Sequence, residues 1–286
     1  MKRSQFRHFE RLRVRWAEVD AQGIVFNGHY LAYFDTAVGG YWRALALPYT
    51  STMQSLGGDL FVRKATLDYR GSACFDDLVD VGVRCERVGN SSMLIQCAVF
   101  RGEELLVSGE LVYVFAEPQS KAPMPLPQVL RDVLHDFEAG KSMVEVRVGN
   151  WDELGTDAGV IRQSVFVQEQ KIPADMEWDA ADASCVHAVA YNRIGVALAT
   201  GRLLEHVPGV AKIGRMAVVH HMRGSRIGRE VLQALMNKGR ELGYREVLLH
   251  AQVSAAGFYQ RMGYVQRGEM FEEAGIGHVE MIKTLS

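Results

Sequence analysis

The sequence lacks the features that would place it outside the cell or in a membrane. It has four cysteines, Cys74, Cys85, Cys97 and Cys185. They form no Cys-x-x-Cys pair and do not cluster with histidine at zinc spacing, so we expect reduced, mostly buried thiols and no metal site. No run approaches about 18 apolar residues and no apolar segment opens the chain, which predicts neither a membrane span nor a signal peptide. These absences predict a cytoplasmic protein.

An excess of charge of one sign is also lacking. Residues 1–140 contain 15 Lys and Arg against 17 Asp and Glu, and residues 141–286 contain 17 of each. Neither half has the positive charge of a polyanion-binding protein, so we expect no nucleic-acid partner. The length of 286 residues and the 48% hydrophobic content fit two domains, each able to bury a core.

Proline is rare, and three of the seven prolines fall between residues 120 and 127. This segment favours neither a helix nor a central strand and predicts an extended connector. Beyond it, apolar residues recur at helical spacing up to Gly140, which is well placed to end a helix. We therefore predict one domain over residues 1–140 and a second over residues 141–286.

The first domain is predicted to combine one long helix with several strands. A strand is predicted at about residues 10–18, with Trp16 on its apolar face. The next helix has an apolar stripe of Tyr30, Phe34, Ala37, Val38, Tyr41 and Leu45. Gly39 and Gly40 lie inside it, where glycine costs up to about 1 kcal/mol relative to alanine, so we expect a close neighbour there. Four later segments alternate with period two, at 65–69, 79–85, 93–99 and 105–115. The pattern predicts an α+β fold in which an antiparallel sheet curves around a helix.

The second domain is predicted to have a mixed α/β fold. Strands are predicted at 144–148, 186–191, 196–204, 211–219 and 245–250. Helices are predicted at about 158–168, after the loop at 223–228, and around Tyr259. The helix after the loop has one apolar face, formed by Ile227, Val231, Leu232, Leu235 and Met236.

Asp20 begins the most informative pattern in the first domain. An aspartate before a glycine-containing turn is most often an Asx-turn former. Here Gly23 follows three residues later, and Asn27 and Tyr30 enter the long helix. This wider pattern resembles hotdog-fold acyl-CoA thioesterases of the 4-hydroxybenzoyl-CoA type. The resemblance implies that Asp20 either attacks the thioester carbonyl or takes a proton from the attacking water.

The same resemblance implies that the thioester oxygen binds backbone N–H groups around Asn27 to His29, at the positive end of the helix. The sequence leaves open whether the side chains of Asn27 and His29 take part. Glu18 can raise the pKa of Asp20, but we favour a solvated carboxylate at this position.

Further residues of the first domain are assigned by resemblance alone. Arg87 and Ser91 fall where the family holds the CoA phosphates, and an ordinary turn explains them equally well. Hotdog domains usually pair edge strands, so we expect a homo-oligomer that forms through residues 1–139.

Residues 214–228 predict a strand, a loop and a helix start, an arrangement that suits a pyrophosphate. The loop reads Arg223, Gly224, Ser225, Arg226, Ile227, Gly228. It resembles the acetyl-CoA signature of GNAT N-acetyltransferases, which implies that the loop, with Met216 and Val218 before it, binds acetyl-CoA. Arg226 stands where the family has glycine. It either strains the loop by roughly 1 kcal/mol or adds a phosphate contact.

Residues 249–264 resemble the fourth motif of the same family, and matches at 165–170 and 272–278 are closest to its ElaA-like branch. The resemblance implies that Tyr259 protonates the departing CoA thiolate, and the alternative is a tyrosine packed under the sheet. Glu169 and His187 are candidate bases for the amine. We interpret His250 and His278 as structural.

These patterns predict a bifunctional enzyme that hydrolyses an acyl-CoA in its first domain and transfers an acetyl group to an amine in its second. The expected partners are acyl-CoA and an amine acceptor, neither of which the sequence specifies further. The alternative is a CoA-binding regulatory or scaffolding protein with one or both sites inactive, and Arg226 is its main support.

Overall fold

The computed structural model describes residues 1–285 and divides them into two compact units. The first unit comprises Met1–Met143, and the second begins at Val144. The first contains a sheet of five strands and the second a sheet of seven. No helix within residues 1–285 is both long enough and apolar enough to cross a lipid bilayer.

The first unit is an antiparallel sheet packed against a central helix. Its elements are β1 (His8–Arg13), α1 (His29–Ala44), α2 (Tyr49–Leu56), β2 (Asp59–Tyr69), β3 (Leu78–Val88), β4 (Ser92–Arg101), β5 (Glu104–Ala116) and α3 (Gln128–Glu138). The strand order is β1-β3-β4-β5-β2, so β1 and β2 form the edges. The entire predicted stripe of α1 is buried, which confirms the helix and its orientation. Phe34 lies so close to Gly109 of β5 that an added Cβ would be 2.5 Å from its ring.

Strand β1 is shorter than predicted. It ends at Arg13, because the chain then turns and Val14 donates its N–H to the Asp77 carbonyl. Residues 16–18 form a 3-10 turn, and Trp16 is 74% exposed, so its predicted place on an apolar strand face was wrong.

The two glycines inside α1 were predicted to have a close neighbour. An added Cβ on Gly40 would lie 2.4 Å from a Glu10 carboxylate oxygen, as that prediction requires. Gly39 faces open space, so the prediction was wrong there.

The second unit is a mixed sheet with helices on both faces. Its elements are β6 (Val144–Gly149), α4 (Trp151–Arg162), α5 (Ala174–Glu177), β7 (Val186–Asn192), β8 (Ala197–Val207), β9 (Val210–Val218), α6 (Ile227–Glu241), β10 (Glu246–Gln252), α7 (Ala256–Arg261), β11 (Val265–Glu273) and β12 (Ile276–Thr284). The strand order is β11-β12-β10-β9-β8-β7-β6, and among the strands of residues 144–285 only β9 and β10 pair in parallel. The predicted apolar face of α6 is buried in full.

Helix α4 begins at Trp151, not at residue 158 as predicted. Asn150 caps it, because its side chain accepts from the Glu153 N–H at 3.0 Å while the Glu153 carboxylate accepts from the Asn150 N–H at 3.1 Å. This reciprocal cap was visible in the sequence as Asn-x-x-Glu. After Arg162 the helix widens into a π-helical turn over Gln163–Glu169.

Candidate functional sites

Asp20 lies in a tight turn between β1 and α1. Its Oδ1 accepts a hydrogen bond from the Gln22 N–H at 2.8 Å, and its backbone bonds to Gly23 and Ile24. Gly23 has a φ of 77°, a conformation that favours glycine. The carboxylate is half-buried, and no group within residues 1–285 donates a hydrogen bond to its Oδ2. Asp20 thus forms an Asx turn and still has one carboxylate oxygen available for chemistry.

Helix α1 starts with three backbone N–H groups that have no acceptor in the described part of the chain. They belong to Asn27, Gly28 and Tyr30, whereas the His29 N–H donates to the Phe26 carbonyl at 2.9 Å. The prediction that His29 offers its N–H was therefore wrong, because the turn before the helix already uses it. Unpaired donors at the positive end of a 16-residue helix, among them the adjacent Asn27 and Gly28 groups, suit a developing negative charge.

Glu18 is buried, so its prediction as a solvated carboxylate was wrong. It forms an ion pair with Arg15 at 2.6 Å and accepts a hydrogen bond from the Tyr33 hydroxyl at 2.8 Å. Burial alone would raise its pKa, but the hydrogen bonds from Arg15 and Tyr33 hold the pKa of Glu18 below its usual value. Its backbone carbonyl also accepts the Phe26 N–H, so Glu18 anchors the segment that leads into α1.

Arg87 and Ser91 lie at the hairpin between β3 and β4. Arg87 is exposed beside a β-bulge, and the Ser91 carbonyl accepts the Phe115 N–H at 2.8 Å. Arg131 anchors the same turn by donating to the Asn90 carbonyl at 2.5 Å. The turn is therefore fixed and has an exposed positive charge. Phosphate binding there stays a prediction.

In the second unit, strands β9 and β10 separate soon after they begin. They pair only from Val210 opposite Glu246 to Lys212 opposite Leu248 among the described residues. Strand β9 then bulges at Arg215, which has a φ of 53°. A cavity of about 430 Å³, lined in part by Met216, lies where the strands diverge. The backbone of β9 beyond the bulge therefore lacks a neighbouring strand on this side.

The loop after β9 presents four backbone N–H groups that have no acceptor within residues 1–285. They belong to Gly224, Arg226, Ile227 and Gly228, where the 15-residue helix α6 begins. Gly228 lies close to β9, since an added Cβ would be 3.1 Å from the Val218 side chain. Four donors within one turn, at the positive end of a helix, are an arrangement that suits a pyrophosphate.

Arg226 adopts the left-handed conformation that the family's glycine would favour, with a φ of 70°. A residue with a Cβ is strained in this conformation, so Arg226 destabilises the loop by roughly 1 kcal/mol relative to glycine. The Arg226 side chain is exposed. The neighbouring Ser225 hydroxyl donates to the Met222 carbonyl. The loop therefore keeps the backbone shape of the signature and adds a charge.

The side chain of Arg223 is held by Glu169, the last residue of the π-helical turn. Two hydrogen bonds join them, Nη1 to Oε1 at 2.6 Å and Nη2 to Oε2 at 2.7 Å. The Arg223 guanidinium holds the pKa of Glu169 below its usual value. Glu169 is not among the described residues that line the cavity. The structure thus pairs the candidate base with the loop before α6 and does not place it in the described lining of the cavity.

Tyr259 lines the cavity and is 8% exposed. Burial raises the pKa of its phenol to about 12. The rings of Phe258 and Tyr264 pack edge-on against it, with centroids 4.9 and 5.9 Å away. Tyr259 is therefore both packed under the sheet and available to the cavity, and its phenol is protonated at neutral pH.

His187 does not reach the cavity. It is 1% exposed, hydrogen-bonds through Nε2 to the Asp182 carbonyl at 2.8 Å, and is absent from the described lining residues. Its prediction as a base was therefore wrong. By contrast His250 and His278, interpreted as structural, both line the cavity. The sequence signal was the alternation of polar His250 with buried neighbours along β10.

One wall of the cavity is formed by part of a network of three arginines and three carboxylates that the sequence did not reveal. The network consists of Arg162, Arg202, Arg215, Glu177, Asp179 and Asp182. All of them except Arg162 and Asp182 are among the described lining residues. Arg162 is 1% exposed and donates to Glu177 at 2.5 Å and to Asp182 at 2.8 Å. Burial raises the pKa of Glu177 in spite of the Arg162 hydrogen bond. Because the six charges balance, this wall is polar but neutral.

Among the described residues no cysteine lines the cavity, and none lies in the turn before α1. All four cysteines are free, and burial raises the pKa of the Cys85 thiol to about 12. Within residues 1–285 no group of three or more His, Cys, Asp or Glu side chains is arranged to hold a metal ion.

The geometry defines two classes of protein in one chain. An antiparallel sheet around a helix, with a carboxylate before the helix start, is a thioesterase-type hotdog unit. A mixed sheet with diverging strands and a loop of unpaired N–H groups is an acetyltransferase-type unit. Residues 22–108 match the Thioesterase superfamily model, and residues 156–285 match the Acetyltransferase (GNAT) domain model. The chain belongs to both families, the first through its N-terminal unit and the second through its C-terminal unit.

Individual proteins are each similar to part of this chain. The "Uncharacterized N-acetyltransferase YjcF" of Bacillus subtilis (strain 168) is 33% identical over 129 residues, which cover 44% of this chain and 90% of the relative. The "Putative esterase" of Aquifex aeolicus (strain VF5) is 32% identical over 98 residues, 34% of this chain and 75% of the relative. The crystal structure of the PA5185 protein from Pseudomonas aeruginosa strain PAO1 is 34% identical, covers 49% of this chain and 96% of its own, and has a TM-score of 0.42.

Proposed function

We propose that the chain is a bifunctional acyl-CoA enzyme that hydrolyses a thioester in its first unit and transfers an acetyl group to an amine in its second. The observation that carries the proposal is common to both units. Each begins a long helix with unpaired backbone N–H groups. Each also has a side chain that can transfer a proton, Asp20 in the turn before α1 and Tyr259 in the lining of the cavity where β9 and β10 diverge.

In the first unit, the thioester carbonyl oxygen accepts hydrogen bonds from the Asn27 and Gly28 N–H groups, which stabilise the negative charge that develops on it. Asp20 either attacks the carbonyl carbon or takes a proton from a water that does so. A single turnover in ¹⁸O-labelled water separates these routes. Covalent attack forms a mixed anhydride of Asp20 and the acyl group, and water that attacks its Asp20 carbonyl leaves the label in the Asp20 carboxylate. Base catalysis puts the label only in the released acid, so labelled Asp20 identifies the covalent route.

In the second unit, the CoA pyrophosphate binds the N–H groups at the start of α6, and the acetyl group lies along β9 beyond the bulge. The amine nitrogen forms a bond to the acetyl carbon, and the carbon–sulfur bond breaks. Tyr259 gives its proton to the sulfur, and the second proton of the amine nitrogen restores the phenol. Products are the acetamide and free CoA.

A panel of acyl-CoA thioesters tests both activities in one assay. Short, aromatic and long acyl-CoA are each incubated with the full chain, with and without primary amines, and the free thiol is measured. We expect amine-independent release that requires Asp20, and amine-dependent release from acetyl-CoA that requires Tyr259. Absence of both, in a protein that binds acetyl-CoA, would contradict the proposal.

The second candidate function is a CoA-binding regulatory or scaffolding protein. The double hydrogen bond between Glu169 and Arg223 favours it, since this arginine is predicted to bind phosphate and is already paired. Acetyl-CoA binding without turnover would support this function.

We also propose that the chain is at least a dimer in the cytoplasm. Edge strand β2 leaves Val62 and Tyr69 half or more exposed, and pairing of this edge with a second copy would cover it. Light scattering of the full chain at micromolar concentration gives twice the chain mass or more if this is correct. A monomeric mass would refute it.

A further inference from the structure

The cavity of the second unit contains a cluster of titratable groups that the proposed reaction leaves without a role. Its members are Lys212 on β9, His250 on β10, Glu273 on β11, and Glu280 and His278 on β12. Lys212, His250, Glu273 and His278 line the cavity that also contains Tyr259. These groups therefore lie in the space available to an acceptor.

Two neighbours compete for one nitrogen of His250. The Glu273 carboxylate lies 3.2 Å from His250 Nδ1, and the Lys212 Nζ lies 3.3 Å from the same atom. A carboxylate only accepts, so the contact with Glu273 is a hydrogen bond when Nδ1 carries a proton, whereas Lys212 can donate only to an Nδ1 without one. Burial lowers the pKa of Lys212, and the nearby Glu273 and Glu280 carboxylates oppose this shift. We assign the proton to Nδ1, because the contact with Glu273 is the shorter of the two.

With Nδ1 donating to Glu273, the lone pair of Nε2 is the basic position of the ring. A second carboxylate, Glu280, lies 3.9 Å from Nε2. The imidazolium formed by taking up a proton would therefore lie between two carboxylates. The His250 side chain is 26% exposed, so the proton can pass on to solvent.

The other ionisable groups in the cavity are less suited to this step. Glu177 is 2% exposed and is held by Arg162 at 2.5 Å and Arg215 at 3.3 Å. Asp179 is held by Arg202 at 2.6 Å and by Arg215. Their oxygens are committed to guanidinium groups, whereas His250 is oriented by a carboxylate and keeps a basic nitrogen.

We infer that His250, oriented by Glu273, is the base that takes the proton from the acceptor ammonium in the acetyl transfer. The inference rests on the proposed transferase function of this unit. The acceptor enters as R–NH₃⁺ and gives one proton to His250 Nε2, which releases it to solvent. The resulting amine attacks the acetyl carbon, and its second proton goes, through Tyr259, to the CoA sulfur.

Two amine probes of similar size test this role in the full chain. Ethylamine is almost wholly protonated at neutral pH and needs a base, whereas hydroxylamine is mostly uncharged and does not. Acetylated product is measured by mass spectrometry, and the rate without enzyme is subtracted. We expect His250→Gln to slow transfer to ethylamine by about 100-fold or more and transfer to hydroxylamine by less than about 3-fold.

Glu273 acts as a positioning residue. We expect Glu273→Gln to lower kcat with ethylamine by about 10-fold, to leave kcat with hydroxylamine unchanged, and to leave the KM for acetyl-CoA unchanged. His206→Gln is the matched control, since His206 is an exposed histidine of the same sheet outside the described cavity lining. It should change neither rate.

The outcomes are distinct. Equal loss with both probes in His250→Gln would mean a structural role and would overturn the inference while the transferase function stands. No loss with either probe would overturn it as well. If the unsubstituted protein acetylates neither probe, the proposed transferase function fails and the role of His250 fails with it.

Discussion

Helices α1 and α6 begin in the same way but differ in the charges beside their first residues. Each is about four turns long, with 16 and 15 residues, and each starts with backbone N–H groups that have no acceptor in the described part of the chain. At α1 there are three such groups, and an acidic residue, Asp20, precedes them. At α6 there are four, and two arginines stand among or beside them. The sign of the nearby charge suits the proposed carbonyl oxygen at α1 and the proposed pyrophosphate at α6.

The two sites also differ in how their polar side chains are satisfied. At α1 the nearby carboxylate Glu18 is buried and fully engaged, and Asp20 keeps an oxygen available. At α6 the nearby carboxylate Glu169 instead pairs with the arginine of the loop. At α1 one oxygen of the Asp20 carboxylate therefore stays available, whereas at α6 the Glu169 carboxylate fixes the position of the Arg223 side chain.

The largest expected effect tests the acidic residue before α1. Asp20→Asn should lower thioester hydrolysis by about 100-fold or more, because it removes the base or nucleophile. Acetyl-CoA binding at the α6 loop should not change. Hydrolysis is followed by free thiol, binding by calorimetry and folding by the melting transition. Asp68→Asn, an exposed aspartate on β2, is the matched control and should keep full activity. Unchanged kcat/KM in folded Asp20→Asn protein would show that α1 has no such carboxylate chemistry.

The next largest effect concerns the proton donor of the second site. Tyr259→Phe should slow amine-dependent thiol release by about 100-fold, since the thiolate loses its acid. Burial raises the pKa of Tyr259 to about 12, so loss of its proton should not limit the rate of the unsubstituted enzyme at neutral pH. Tyr264→Phe removes a hydroxyl from an equally buried ring, 5.9 Å away, and should have little effect on the rate. Equal losses in the two variants would point to packing alone.

A smaller effect tests the extra charge at α6. Arg226→Gly should raise the stability of the second unit by roughly 1 kcal/mol, because glycine adopts a φ of 70° without strain. If Arg226 contacts phosphate, the same change weakens acetyl-CoA binding by roughly 1 to 2 kcal/mol, and the difference shrinks as salt rises. Calorimetry measures the binding. Arg229→Ala removes a charge from the exposed face of α6 and controls for net charge. Tighter binding by Arg226→Gly would show instead that Arg226 obstructs the loop.

The smallest effect concerns the pair between Glu169 and Arg223. Glu169→Gln removes the negative charge that pairs with Arg223, so acetyl-CoA binding should tighten. The gain in binding free energy should be less than about 1 kcal/mol, because the pair is partly exposed. Glu145→Gln breaks another exposed pair, with Arg147, and should leave binding unchanged. If Glu169 were the base for the amine, its substitution would instead slow transfer and leave binding as it was.

Local sequence patterns predicted much of the fold because each depends on a few neighbouring residues. The apolar stripe of α1 and the face of α6 follow from helical spacing, and both are buried as expected. The predicted extents of β1 and α4 were wrong because particular hydrogen bonds set them, one between distant residues and one between near neighbours. A turn bonded to Asp77 ends β1 early, and a reciprocal cap at Asn150 starts α4 early. Patterns of apolar spacing do not report such hydrogen bonds.

By itself the sequence determined the two families, the order of the units, and the loops that precede α1 and α6. Only the tertiary structure decided which groups in those loops are available. The His29 N–H is used by a turn, Glu18 is buried against Tyr33, and Glu169 is paired with Arg223. It also brought His250 of β10 beside Lys212 of β9 and Glu273 of β11. The physical reason is that strand register and strand divergence set these contacts, and both depend on hydrogen bonds between residues that lie far apart in the chain.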